Sequence, residues 1–218
     1  MLESDLVRLY PRLYHMAEDG SWPSIQRQGL LSTKALVELF EIEEPLRSQL
    51  LQCRRPKSMT ITHPAHGTAV IRDQKPLNEK RLAGCLTDMT VPQWLDLLNS
   101  RVFFWLQKER LNRLLGAKAY RNSTHTVLVV DTARLLAAHR DKVTLSRLNS
   151  GTTAPFAWPR GSDTFSTVVA YQHPHRQRPR KAASDIAELA VDGGIQAITD
   201  LVIRVEQRRG QEILEATK

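Results

Sequence analysis

Apolar residues recur at two different spacings along the chain, and the change between them divides it into halves. In the N-terminal half, residues 33–40 and 45–52 carry apolar side chains at helical spacing. Ser21 is placed to cap a short helix running to Gln28, and Gly29 suits the position just past its end. Thr90 and Pro92 open a further helix over 91–98. Residues 54–67, rich in Pro, His and basic groups, read as a loop, and 69–72 as a short strand. The second half changes character. Residues 101–106, RVFFWL, are dense in aromatic and β-branched types and predict a strand. A basic amphipathic helix follows over 107–117. Strands over 125–132 and 141–148 flank a helix at 133–139. Residues 149–161 read as a long loop, 173–181 as a basic loop, and 165–171, 185–191 and 200–207 as strands, with a turn at 192–194. Strands gather late in the chain without βαβ alternation, and helices concentrate in the N-terminal half. This pattern predicts an α+β fold with a mostly antiparallel sheet.

Composition sharpens the picture in three ways. At 218 residues the chain fits one core, so a single domain over 1–218 is expected. No apolar run reaches the ~18 residues that a bilayer requires, and the first fifteen residues lack the apolar stretch of a secretory signal. Cys53 and Cys85 have neither CxxC nor metal-site spacing, which fits a reducing, cytoplasmic compartment better than a disulfide framework. The net charge of +8 suits either plain solubility or attraction to phosphate, and charge alone does not choose. Dinucleotide (GxGxxG), P-loop, GxSxG and HExxH motifs are absent. The close pairs His63/His66 and His173/His175 lack Cys or carboxylate neighbours in sequence, so no metal is expected.

Four segments carry a hypothesis: RLYHMAEDGSWPSIQRQGLLST (12–33), TAVIRDQKPL (68–77), LNSRVFFWL (98–106) and SDIAELAVDGGIQAITDLVIRV (184–205). In this order they resemble the ADP-ribosyltransferase superfamily, nearest to bacterial DNA-targeting ADP-ribosyltransferase toxins and a related uncharacterised bacterial family. The resemblance matches Leu13, Tyr14 and His15 to an aliphatic–Tyr–His first strand and Gly29, Leu30, Leu31 and Ser32 to a Gly-Leu-Leu-Ser turn. It matches Phe103, Phe104 and Trp105 to an aromatic wall, and Glu188 to a strand glutamate near the C-terminus. It implies a split, mostly antiparallel sheet and NAD as substrate, with no metal. Glu188 would stabilise the oxocarbenium-like transition state formed as nicotinamide leaves, as carboxylates do in glycoside cleavage. His15 would bond a ribose hydroxyl. Arg72 would hold the pyrophosphate, its planar fork matching phosphate oxygens. Gly29, Leu30, Ser32 and Arg101 would shape the cofactor pocket, with Asn99 and Arg101 on its rim.

Read from the residues alone, each position keeps an ordinary alternative. On an alternating strand Glu188 shares a face with Ile186 and Ala190, and is either solvated or in a cleft. Phe103 and Phe104 point to opposite faces, so one can stack on nicotinamide while the other packs the core. Asn149 and Gly151 sit in a turn that reads as structural, with a pocket role left open but without chemical support. Ile186 stands where many relatives carry a Glu or Gln two residues before the catalytic Glu, and no Ser-Thr-Ser element precedes the aromatic strand; both departures point away from arginine modification. The loop before Glu188 carries Arg176, Arg178, Arg180 and Lys181 without an acidic neighbour, and a second basic run holds Arg54, Arg55 and Lys57. These are candidates for tracking a DNA or RNA acceptor. Two other functions stay open: an RNA 2′-phosphotransferase on a related fold, and a non-catalytic basic nucleic-acid-binding module. A toxin or phage-defence role, with an antitoxin as partner, is compatible with the first reading.

Overall fold

The computed structural model describes residues 1–171 and 186–217. Its centre is the strand β6 (Thr124–Asp131), buried from His125 to Val130. An unbroken run of aliphatic residues suits a strand covered on both faces. β6 pairs antiparallel with β1 (Arg12–Glu18) on one side and with β11 (Val202–Arg209) on the other. β12 (Glu212–Thr217) adds to β11 as an exposed edge. Beyond β1 lie β5 (Arg101–Trp105), β9 (Glu188–Asp192), β7 (Val143–Ser146) and β8 (Ser166–Thr167). The order is β12-β11-β6-β1-β5-β9-β7-β8, with every pairing antiparallel. The α+β class with an antiparallel core is as the sequence pattern predicts.

Two layers cover this sheet. On one face Leu13, Phe104, Leu128, Leu145 and Leu189 pack with Leu6 of α1 (Glu3–Leu9) and Leu135 and Leu136 of α8 (Thr132–His139). On the other, Met16 and Val127 meet Leu111 and Leu115 of α7 (Lys108–Leu115). The N-terminal half adds α2 (Trp22–Gln28), α3 (Thr33–Leu39), α4 (Leu46–Gln52), α5 (Glu79–Ala83) and α6 (Val91–Asn99), with smaller cores around Phe40 and Trp94.

β1 and β5 share the single register pair Tyr14↔Trp105, whereas β1 and β6 stay paired from Arg12 to Glu18. The sheet therefore opens between β1 and β5. β2 (Leu30–Leu31) packs against β5 at this opening and pairs with β10 (Gly194–Ile195).

Several expectations need correction. Residues 54–67 are not all loop: β3 (Met59–His63) and β4 (Gly67–Ile71) form a hairpin. Its buried side chains, Ile61, Ala69 and Ile71, alternate with threonines and a valine, a period-two pattern hidden beneath the basic and proline-rich composition. The strand expected at 165–171 shrinks to Ser166–Thr167, because Val168 and Tyr171 are buried in a turn while Val169 is exposed. Ser21 has helical dihedrals and makes no capping bond; the serine that does cap is Ser32, at the start of α3. α1, α5 and β12 had no counterpart in the sequence reading. Among the described residues no helix is long and apolar enough to cross a membrane.

Candidate active site

Glu188 begins β9, opposite Trp105 of β5 on one side and Ser146 of β7 on the other. Its side chain is 4% exposed, so it is not a solvated strand residue. The strand starts at Glu188 itself, and alternation does not extend backward: Ile186 packs in the same core cluster as Leu189 and Val191 rather than sharing Glu188's face. One carboxylate oxygen, Oε2, accepts a hydrogen bond from the Ser150 amide at 2.9 Å. Burial raises the carboxyl from 4.5 to about 7. The bonds from Ser150 and the positive charges of Arg110 and Arg160 oppose that rise but do not cancel it. A carboxyl balanced near neutrality can exchange a proton at little cost.

Glu188 lines a cavity of about 1060 Å³ that reaches the opening between β1 and β5, where His15, Phe103, Arg72 and Arg101 also line it. His15 Nδ1 bonds the Phe103 carbonyl at 2.8 Å, and its ring lies 5.6 Å from that of Phe104. The imidazole thus bridges strands whose backbones have parted. Burial lowers its pKa to about 4, so the ring is neutral at pH 7. A neutral ring that donates from Nδ1 to a carbonyl keeps an acceptor lone pair on Nε2. Phe104 is 1% exposed in the core; Phe103 is half-buried, packs on Phe165 and presents the cavity's aromatic surface with the half-buried Trp105.

The remaining predicted residues divide by what already engages them. Arg72 donates from Nη1 to the Met16 carbonyl at 3.1 Å, pairs with Glu18 at 3.7 Å and lies over the Tyr120 ring. It clasps β1 from the end of β4 and faces the cavity. Arg101 is engaged by Asp192 at 2.6 Å, with its guanidinium over Phe165. Asn99 lines the cavity from a buried position, bonded to Arg55 and to the Leu51 carbonyl. Gly29 and Leu30 hold the cavity's wall. Gly29 has φ +89°, and a Cβ there would stand 2.6 Å from the Gln196 Cα, so only glycine lets β2 meet β10. Ser32 accepts from the Ala35 amide at 3.1 Å as the cap of α3. The basic run at 54–57 is no phosphate track at its first two positions. Arg55 is buried and donates to the Arg72 carbonyl and to Asn99, while Arg54 donates to the Leu77 and Lys75 carbonyls. Arg176, Arg178, Arg180 and Lys181 lie outside the described residues.

Sequence reasoning missed two contributors, Ser150 and Arg160, and gave a third, Arg110, only as part of a basic helix surface. Ser150 sits between the Asn149 and Gly151 of a turn that reads as structural, yet its amide holds Glu188. Arg160 is buried and donates from Nη1 to the Ser150 and Thr152 carbonyls. Arg110 of α7 lines the cavity close enough for its charge and that of Glu188 to influence each other. Only the Asn-Ser-Gly turn left a local signal. Together these side chains form a deep cleft with one proton-exchanging carboxyl, a neutral imidazole, an aromatic wall and several guanidinium groups. That set suits a phosphate-bearing ligand with a centre that becomes positive beside Glu188. Among the described residues no group of three or more His, Cys, Asp or Glu could hold a metal ion.

The model of a protein family of unknown function, DUF7002, matches residues 11–202, which include every one of these side chains. No curated protein matches the chain.

Proposed function

The chain belongs to the DUF7002 family, and for this member we propose an NAD-dependent ADP-ribosyltransferase. The observation that carries the reading is Glu188: a carboxyl 4% exposed, aligned by the Ser150 amide, at the wall of a cleft that opens where the sheet parts. A buried acid beside Leu189, Ala190 and Val191 is costly to keep, and such groups concentrate at functional sites.

In this reading the nicotinamide ring lies against Phe103, the one of the Phe103/Phe104 pair that keeps surface towards the cleft. A ribose hydroxyl donates to Nε2 of His15, and Arg72 meets the pyrophosphate. The bond between ribose C1′ and the nicotinamide nitrogen breaks, and its electron pair leaves with neutral nicotinamide. Ionised Glu188 stabilises the positive charge that develops on the ribose. A lone pair of the acceptor then bonds C1′, and the acceptor's proton passes to Glu188 and on to solvent. Because Glu188 must be ionised, turnover rises with pH through about 7. A nucleic-acid acceptor is compatible with the net charge of +8, and the additives in the test below decide between it and protein.

The test is nicotinamide release from NAD by the purified protein and by Glu188→Gln, with and without DNA, RNA and protein extract. Release by wild type that falls at least a hundredfold in the variant supports the reading, and the accelerating additive names the acceptor class. No release and no NAD binding would remove the transferase and leave a basic binding module in its place.

A further inference from the structure

Outside the cleft, the loop that follows the Ser150 turn exposes two large aromatic side chains. Phe156 is 67% exposed and Trp158 is 63% exposed, with ring centroids 6.2 Å apart. Two neighbouring large aromatics left in water form an apolar surface available for contact. Pro155 and Pro159 bracket them and restrict the backbone. A side pocket of about 210 Å³ lies beneath, lined by both aromatics and by Arg110, Arg147 and Arg160, with no acidic residue in its lining. Asn149, Thr152 and Arg110 line this pocket and the main cleft alike, so the two adjoin.

The loop is also tied mechanically to Glu188. The buried Arg160 donates to the Trp158 carbonyl at 3.1 Å and to the Ser150 carbonyl at 3.1 Å. The amide of the same Ser150 donates to Glu188 at 2.9 Å. One residue therefore fixes the carboxylate through its N–H and the aromatic loop through its C=O. An arrangement that only kept a loop folded would have no reason to leave the rings in water.

We infer that Phe156 and Trp158 form a stacking platform for unpaired bases of a single-stranded nucleic acid, whose phosphates meet Arg147 and Arg110, and which brings the acceptor strand to Glu188. The inference rests on the transferase reading for the role of the bound strand, but not for the binding itself. Bases offer flat π-faces to the rings, and the phosphates between them offer charge to the arginines. A duplex stacks its bases internally and offers neither ring an unpaired face.

The experiment measures anisotropy of labelled single-stranded DNA, single-stranded RNA and duplex DNA, without NAD, on the full chain and on Phe156→Ala and Trp158→Ala. Both side chains are exposed, so circular dichroism should be unchanged. Wild type should bind a single strand more tightly than duplex, and each substitution should weaken strand binding roughly tenfold. Trp158→Phe should restore most of it. The KM for NAD should stay within about twofold in both alanine variants. Preference for DNA or RNA identifies the strand. A wild type that binds no strand, or strand binding indifferent to both substitutions, overturns the inference. So does a raised KM for NAD with strand affinity intact, which would give the rings to the adenine of NAD instead. If Glu188→Gln and wild type both fail to cleave NAD while strand binding still depends on the two rings, the platform stands and the transferase falls.

Discussion

Glu188→Gln should change how stability depends on pH, whatever the protein catalyses. Burial raises the carboxyl from 4.5 to about 7, and a tenfold change in proton affinity is worth about 1.4 kcal/mol. Ionising Glu188 in the folded chain thus costs roughly 3 kcal/mol more than ionising it in the unfolded chain. The folded state holds the proton more tightly, so the stabilisation is complete below about pH 4.5 and is lost as pH rises through about 7. Glutamine keeps an oxygen to accept from the Ser150 amide and never ionises. The stability of Glu188→Gln minus that of wild type should therefore grow by roughly 2–3 kcal/mol between pH 5 and pH 8. Taking the difference cancels every other titrating group that the two chains share. In a chain of this length it corresponds to a relative Tm gain of roughly 4–12 °C at the higher pH. Chemical denaturation at several pH values, read by circular dichroism, measures it. A difference independent of pH would refute the burial argument. One that shrinks as pH rises would mean that the charges of Arg110 and Arg160 outweigh burial.

Two further outcomes follow from the same cleft. Burial lowers the pKa of His15 from 6.5 to about 4, so the unfolded chain takes up the proton first. Wild type should lose about 2 kcal/mol relative to His15→Gln as pH falls from 7 to 5, and parallel pH profiles for the two in denaturant melts would contradict it. Gly29→Ala places a Cβ 2.6 Å from the Gln196 Cα and 2.7 Å from the Ile195 carbonyl at a φ of +89°. It should cost about 2–4 kcal/mol, and a variant as stable as wild type in urea would show that β2 and β10 can part freely.

Local pattern was enough for much of the frame. Helices at 33–40, 45–52 and 91–98 and strands at 101–106 and 125–132 are legible because each buries a regular stripe or face of its own sequence, and the periodicity survives whatever packs against it. The α+β class follows from their order. The hairpin of β3 and β4 escaped because its apolar positions are sparse and its Pro, His and basic residues dominate the composition. β12 escaped because an exposed edge strand has no buried face to write into its sequence. For the site, the order of His15, Phe103 and Glu188 marked residues that the fold does gather around one cleft.

The sequence alone determined which side chains were available for chemistry, and a strand glutamate among aliphatic residues could be singled out without knowing its partners. Whether that glutamate faced water or a cleft, and which phenylalanine kept a surface, depended on where β1 and β5 part. That divergence is a property of two strands some ninety residues apart in sequence. The partners of Glu188 are likewise non-local. A backbone amide has no sequence signature, so Ser150 became legible only when the turn was set beside β9, and Arg160 only when its guanidinium was seen to reach back to Ser150. Periodicity encodes which face of an element is buried; it carries no information about which other element supplies the burial, and the charge state of Glu188 depends on that supply.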